Sequence, residues 1–311
     1  MELNNLNVAV TGATGFIGRY ICAELLRRQA RVTGVVRNPD RVPALREQGV
    51  TMREADLADL AALGQAFEGI DVVVSNAALF DLDNADWKAH EQTNIQGGRN
   101  VLQASLSAGV KRVILVSSCG VYASMGKDTP AEDGAQFTSD SWRHRANRYM
   151  VSKALAEQDA WAYAREQGLN LTAVRPSAVY GAFDTNFMPR LRKIAAQPVS
   201  MRLLHFSLVY AADVAEALCN CIADDATIGQ SYNLSGEDRE MDDFLAALRE
   251  DQGIRKKFLV PVPVPFRNTF DSSRAKREIG FRNRSYAEGL SLIHISEPTR
   301  QPATSRMPSS A

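Results

Sequence analysis

Tyr149 and Lys153 stand four residues apart in a stretch that reads as a long helix, so their side chains share one face. A free phenol titrates at about 10, too high for proton exchange at neutral pH. An ammonium group beside it favours the phenolate and lowers that value, which makes the pair a general acid/base. Ser118 follows the run Val113–Ser117, which reads as a strand. Residues at the C-terminal ends of strands in open α/β sheets face the ligand crevice. A hydroxyl there would hydrogen-bond a carbonyl oxygen and support the negative charge that develops on it. Tyr-x-x-x-Lys alone is a common chance spacing. Its weight here comes from agreement with the serine before it and with a glycine loop near the N-terminus.

That loop is Thr11-Gly12-Ala13-Thr14-Gly15-Phe16-Ile17-Gly18, placed between a short apolar run and an amphipathic stretch. Glycine is required where the backbone turns sharply and where a pyrophosphate approaches the main chain too closely for a side chain. The helix that follows offers free N–H groups and a positive dipole end. Gly12, Thr14, Gly15, Phe16, Ile17 and Gly18 are therefore assigned to a dinucleotide. The second strand ends Val35-Val36-Arg37-Asn38, with no carboxylate where an NAD enzyme binds the ribose 2′-hydroxyl. A guanidinium binds a 2′-phosphate bidentately. Arg37 thus points to NADP(H) over NAD(H), with Arg19 and Arg41 as weaker candidates for the same phosphate. Asp56 and Leu57 are placed to meet the adenine edge, and Asn76-Ala77-Ala78 supplies small residues where the cofactor must pass.

These residues need a scaffold, and the chain alternates strand-like and helix-like segments. Strands are expected at Val8–Thr11, Arg31–Val36, Asp71–Ser75, Val113–Ser117 and Leu171–Arg175, and helices at Ile17–Arg28, Gln92–Ala108 and Asn147–Gln167. The expected fold is α/β: a Rossmann doubly wound parallel sheet with helices on both faces and a small C-terminal substrate-binding cap. Residues 1–175 form the NADP-binding domain, with 203–224 and 230–235 returning to it, and 176–290 form mainly the cap. The loop Ala123–Arg148, with Trp142 and His144, and the segment Phe183–Arg190 are expected to shape the pocket. Leu259–Phe266 alternates Val with Pro and reads as an extended edge or loop. Residues 291–311 show no helical or strand period and are rich in Ser, Thr and Pro, as in a disordered tail. Ser291–Arg300 also resembles translated sequencing-adapter DNA, so this tail is expected to be non-native.

The 311 residues are 45% apolar, and 36 Lys and Arg balance 36 Asp and Glu. That balance gives no basic field for nucleic acid or an anionic membrane surface. No apolar run is long enough for a membrane span. The four cysteines (Cys22, Cys119, Cys219, Cys221) form no disulfide framework, and neither they nor the four histidines form a metal-ligand pattern. The expected setting is cytoplasmic.

From residue 7 to about 290 the chain resembles the extended short-chain dehydrogenase/reductase superfamily, the NAD(P)-dependent epimerase/dehydratase-like proteins. The resemblance rests on the glycine loop, Thr93-Asn94-Ile95-Gln96-Gly97, Val116–Tyr122, Tyr149–Lys153, Arg175–Gly181, Ala212–Ala217 and Asp271–Lys276. It implies catalytic roles for Ser118, Tyr149 and Lys153, cofactor contacts from Tyr149, Lys153, Pro176 and Ser177, and support of the active-site helix by Asn94. It also implies a homodimer through the helices that begin at Gln92 and Asn147. Tyr149–Ala164 is similar to dihydroflavonol reductases and related aldehyde/ketone reductases. Leu204–Leu208 lacks the arginine that nucleotide-sugar epimerases usually carry there. The expected activity is reduction of a small carbonyl compound, or oxidation of the alcohol. Nucleotide-sugar epimerases or dehydratases and 3β-hydroxysteroid dehydrogenases are the competing enzyme classes. A non-catalytic NADP-binding redox sensor is the competing class without chemistry; such proteins typically lack the Tyr–Lys pair.

Overall fold

The computed structural model describes residues 3–80, 86–123, 130–140, 147–255 and 258–296. Short runs dense in Val and Ile make strands that are buried on both faces. In chain order the first part comprises β1 (Asn7–Thr11), α1 (Phe16–Arg27), β2 (Arg31–Val36), α2 (Pro43–Glu47), β3 (Thr51–Glu54), α3 (Leu60–Ala66), β4 (Val72–Ser75), α4 (Trp87–His90), α5 (Gly97–Ser107), β5 (Arg112–Val116), α6 (Arg148–Gln167) and β6 (Leu171–Pro176). A π-helical stretch, Glu91–Gln96, joins α4 to α5. The helix expected from Gln92 therefore starts about a turn earlier. The chain continues through β7 (Ala178–Tyr180), α7 (Phe187–Ala195), β8 (Val199–Phe206), β9 (Leu208–Tyr210), α8 (Ala211–Ile222), β10 (Ser231–Leu234), α9 (Met241–Asp251), β11 (Val260–Asn268), α10 (Ser273–Glu278) and α11 (Tyr286–Ser296).

Seven strands form one sheet in the order β10-β6-β5-β4-β1-β2-β3, and every pairing in it is parallel. Strand order reverses between β1 and β4, which opens the crevice where ligands bind in such sheets. Alternate residues feed two cores. Val8, Val10, Ile114 and Val174 pack on one face with Ile21 and Leu25 of α1 and Leu218 of α8. Ala9, Val73 and Val113 pack on the other with Leu63 of α3, Val101 and Leu102 of α5, and Tyr163 of α6. Cover on both faces explains why β5 reads as an unbroken apolar run and not as an alternation.

The cap has its own core of Tyr180, Met188, Leu191, Phe244, Leu245, Tyr286 and Leu290. Phe244 meets Tyr180 and Tyr286 edge-on, at centroid separations of 5.1 and 5.0 Å. The Ala182 N–H donates to the Tyr20 hydroxyl at 2.8 Å, tying the cap to α1. The proline-rich segment is β11, paired in parallel only with β8 in a two-stranded ribbon. The Val260 N–H donates to the Pro198 carbonyl at 2.7 Å.

The end of the chain departs from expectation over residues 291–296. Helix α11 continues through Ser296, and Ile293 is buried in the cap core. Tyr286, Leu290 and Ile293 recur at helical spacing, a stripe that the intervening Ser and Gly obscure. Residues 297–311 lie outside the described part.

Candidate active site

The phosphate loop is built by close backbone packing. Gly12 adopts φ +66°, a left-handed conformation that strongly favours glycine. A Cβ on Gly12 would sit 3.0 Å from the Ala77 Cα. The Gly15 N–H donates to the Gly12 carbonyl at 2.9 Å, closing the turn that starts α1. Across the crevice, the Thr11 hydroxyl accepts the Asn76 and Ala77 N–H groups, both at 3.0 Å, so the ends of β1 and β4 are clamped together. Thr11 opens the glycine motif, but its role as the clamp became visible only in three dimensions.

Basic residues gather beside this loop. Arg19 donates to the Thr14 carbonyl at 3.2 Å and lies over the Phe183 ring at 4.5 Å. Burial and the nearby charge of Arg41 both push the Arg19 guanidinium downward, so two like charges face each other at the mouth of α1. Arg37 is exposed after β2. Asp40, the acid in that turn, is engaged with Arg46 at 2.7 Å. The cradle with no room for a Cβ, the helix N-terminus and these guanidinium groups fit a dinucleotide phosphate. Asp56 caps the turn after β3, accepting the Ala58 N–H at 2.8 Å. The Leu57 carbonyl is taken by the Asn100 side chain at 2.8 Å.

Ser118, Tyr149 and Lys153 meet at the C-terminal end of β5. The Ser118 hydroxyl accepts the Gly120 N–H at 3.0 Å and is hydrogen-bonded to the Tyr149 hydroxyl. Asn147 caps α6 through the Met150 N–H at 3.3 Å, which sets Tyr149 in the first turn. The Phe80 ring meets Tyr149 edge-on at 4.9 Å and is 42% exposed, an apolar wall open to a ligand. His90, fully buried, has its ring 6.4 Å from that of Tyr149. Sequence reasoning set His90 aside as one of four scattered histidines. Its four-residue spacing from Asn94 was the available signal. Asn94 lies in the π-helical stretch, donates to Ser152 at 2.9 Å and accepts the Leu79 N–H at 2.7 Å. It therefore braces α6 between Tyr149 and Lys153.

The electrostatics differ from expectation at one point. Burial pushes the Tyr149 phenol up to about 12, opposed by the hydrogen bond with Ser118 and not by Lys153. The reason is geometric: the Lys153 ammonium donates to the Val116 carbonyl at 2.8 Å. Lys153 itself is brought down to about 8 by burial, against the pull of Glu157. Glu157 forms a buried ion pair with Arg175, whose Nε lies 3.0 and 3.1 Å from the two carboxylate oxygens. Removing one partner of such a pair costs about 3–5 kcal/mol, because the other is left as an uncompensated buried charge. Pro176 and Ser177 continue from Arg175 at the end of β6, both buried. A cavity of about 20 Å³, the scale of one water molecule, is lined by Ser75, Ala77, Ala78, Asn94 and Lys153 among others. Trp142 and His144 lie outside the described residues.

The chain belongs to the NAD dependent epimerase/dehydratase family, whose model matches residues 8–235. It is 34% identical over 184 residues to cinnamoyl-CoA reductase 1 of Petunia hybrida, covering 56% of this chain and 54% of that enzyme. It is 30% identical over 223 residues to dihydroflavonol 4-reductase of Hordeum vulgare, covering 67% of this chain and 63% of that enzyme. The matched region is thus less than two thirds of either relative. The crystal structure of the yeast methylglyoxal/isovaleraldehyde reductase Gre2 complexed with NADPH matches with a TM-score of 0.79 at 25% identity, over 93% of this chain and 97% of that one.

Proposed function

We propose that this protein is an NADPH-dependent reductase of an aldehyde or ketone. The observation that carries the reading is the meeting of Ser118, Tyr149 and Lys153 beside a glycine cradle at the strand-order reversal. Bound NADPH would supply the hydride, held by Gly12, Thr14, Gly15, Phe16, Ile17 and Gly18 at the phosphates and by Lys153 at the nicotinamide ribose. Arg37, with Arg19 and Arg41 near it, would take the 2′-phosphate. Asp56 and Leu57 would meet the adenine edge, Asn76, Ala77 and Ala78 would line the path of the cofactor, and Pro176 and Ser177 would border the nicotinamide. Ser118 orients the substrate carbonyl by hydrogen bonding to its oxygen. Tyr149, protonated throughout the physiological range, donates a proton to that oxygen as negative charge builds there. Phe80 packs against the apolar part of the substrate. Dihydroflavonol and cinnamoyl-CoA reductases and Gre2 are all reductases by name, and the methylglyoxal and isovaleraldehyde named for Gre2 are aldehydes, which supports this substrate class. Screening NADPH oxidation against aldehydes, ketones and nucleotide sugars tests the reading. Interconversion of a nucleotide sugar without net loss of NADPH would overturn it.

Two outcomes follow from the cofactor and from the lysine. Arg37→Ala should narrow the preference for NADPH over NADH by about ten- to a hundred-fold, the worth of one charge-assisted phosphate contact. Titration of both cofactors into both proteins measures this, and equal affinities in the unmutated protein would contradict it. For pH, the sign comes from Lys153, whose charged form is lost as pH rises through about 8. Reductive turnover should be level near neutrality and fall above that point, because the ribose and the developing alkoxide lose their cation. Tyr149 stays protonated over the same window, with a midpoint near 12. A rate that climbed steadily to about pH 10 would mean that a base, and not Lys153 in its charged form, limits the reaction.

A further inference from the structure

Glu157 and Arg175 form a buried ion pair to which the proposed chemistry gives no task. Glu157 lies one helical turn after Lys153 on the same face of α6, and both are buried. Its carboxylate accepts from Arg175 and from the Trp161 indole at 3.3 Å. Val116, the last residue of β5, receives the Lys153 ammonium, and Ser118 two residues on bonds Tyr149. Helix α6 thus holds the end of β5 through Lys153. Arg175 extends the grip, donating to the Tyr122 hydroxyl at 2.7 Å and the Glu132 carbonyl at 2.9 Å.

We propose that Glu157 is a positioning residue that keeps Lys153 charged and, through Arg175 and its contacts with Tyr122 and Cys119, fixes the segment after β5 that presents Ser118 to Tyr149. This rests on Lys153 acting in the reaction. Burial favours the neutral amine, and only a nearby negative charge offsets that. The charged and titratable groups around Lys153 are Tyr149 and Glu157 on its own helix, Cys119 and Tyr122 after β5, Glu132 in the following segment, Arg175 on β6 and His90 on α4 beside Tyr149. Of these, Glu157 is the group that raises the proton affinity of Lys153. Its own carboxyl is pushed up by burial, yet Arg175 and the hydrogen bonds outweigh this and hold it low, so it remains an anion.

The test reads the lysine directly and needs no substrate. The protein is produced with isotope-labelled lysine, the Lys153 Cε resonance is assigned by its loss in Lys153→Met, and its pH midpoint is followed by NMR. Glu157→Gln keeps the shape and the hydrogen-bond acceptor but removes the charge. The midpoint should fall by about one pH unit or more, a tenfold loss of proton affinity. Because the single variant strands Arg175 and could fail to fold, Glu157→Gln with Arg175→Gln is measured as well, with neutral amides on both sides. The downward shift should persist in the double variant. An unmoved midpoint in the double variant, or a shift in the single one that the double restores, would assign the effect to the stranded guanidinium and overturn the proposal. The Tyr149→Phe kinetics test the catalytic reading separately, so the two can fail independently.

Discussion

Tyr149→Phe should lower carbonyl-reducing turnover by roughly 10²–10⁴-fold, the usual worth of a positioned general acid, while NADPH affinity stays close to that of the unmutated protein. The phenol is the group hydrogen-bonded to Ser118, and its ring is held edge-on by Phe80. Phenylalanine keeps that packing and removes the hydroxyl, and with it the proton and the hydrogen bond to Ser118. Nothing in the glycine cradle or among the arginines depends on the hydroxyl. Lys153→Met, by contrast, should impair both turnover and NADPH binding, because the ammonium serves the ribose as well as the developing charge. Steady-state rates and cofactor titrations on the two variants separate these roles. Near-normal turnover in Tyr149→Phe would show that the proton comes from another donor, and the assignment would have to be abandoned.

Gly18→Ala should be the most damaging methyl that can be added to the cofactor site. A Cβ at Gly18 would lie 2.3 Å from the Gly12 carbonyl oxygen, 2.9 Å from the Ala13 Cα and 3.0 Å from the Ala13 carbonyl oxygen. All three are backbone atoms, so no side chain can swing away. The loop must shift, and the shift moves the turn that starts α1. Overpacking of this kind costs about 1–3 kcal/mol and sometimes more, visible as a drop of several degrees in Tm. Dinucleotide affinity should fall by about tenfold or more, since about 1.4 kcal/mol of lost contact is enough for that. Gly64→Ala is the control. It sits in α3 with nothing within 4 Å of the added Cβ, and there alanine should stabilise the helix by about 0.5–1 kcal/mol. Equal Tm and cofactor affinity in the Gly18 variant and the unmutated protein would mean that the loop is softer than its packing implies.

The parts of the fold legible in the sequence are those written in local pattern. The apolar runs of β1, β2 and β5 and the helical spacing of Ile17, Ile21 and Leu25 need no knowledge of distant residues. The meeting of Ser118 with Tyr149 was legible because two local signals, a strand end and an i,i+4 pair, converge in this kind of sheet. What was hidden depends on burial or on distant partners. A sequence shows that Lys153 neighbours Tyr149 but not that both are desolvated, so the direction of the tyrosine shift was missed. Glu157 reads as one more helical charge until Arg175, eighteen residues on, is folded against it. Helix α11 was missed because Ser and Gly interrupt its apolar stripe, which only the cap core makes coherent.

The proline pattern of β11 bears on how the protein behaves in concentrated solution. Val260 turns its N–H toward β8, and N–H groups along a strand alternate in direction. Val262 therefore faces β8 as well, and the nitrogens of Pro261 and Pro263 face outward, where proline carries no hydrogen. Over Val260–Pro263 the outer edge thus offers carbonyl groups without matching donors. This matters because apolar side chains are exposed here: Val260 is 49% and Val262 39% exposed in the ribbon, and Phe258, just before it, 70%. An apolar edge with donors would be a template for strand addition and aggregation. Over Val260–Pro263, with its donors turned inward, this edge cannot complete a ladder with an incoming strand, and the sticky side chains there are displayed on a backbone that does not propagate a sheet.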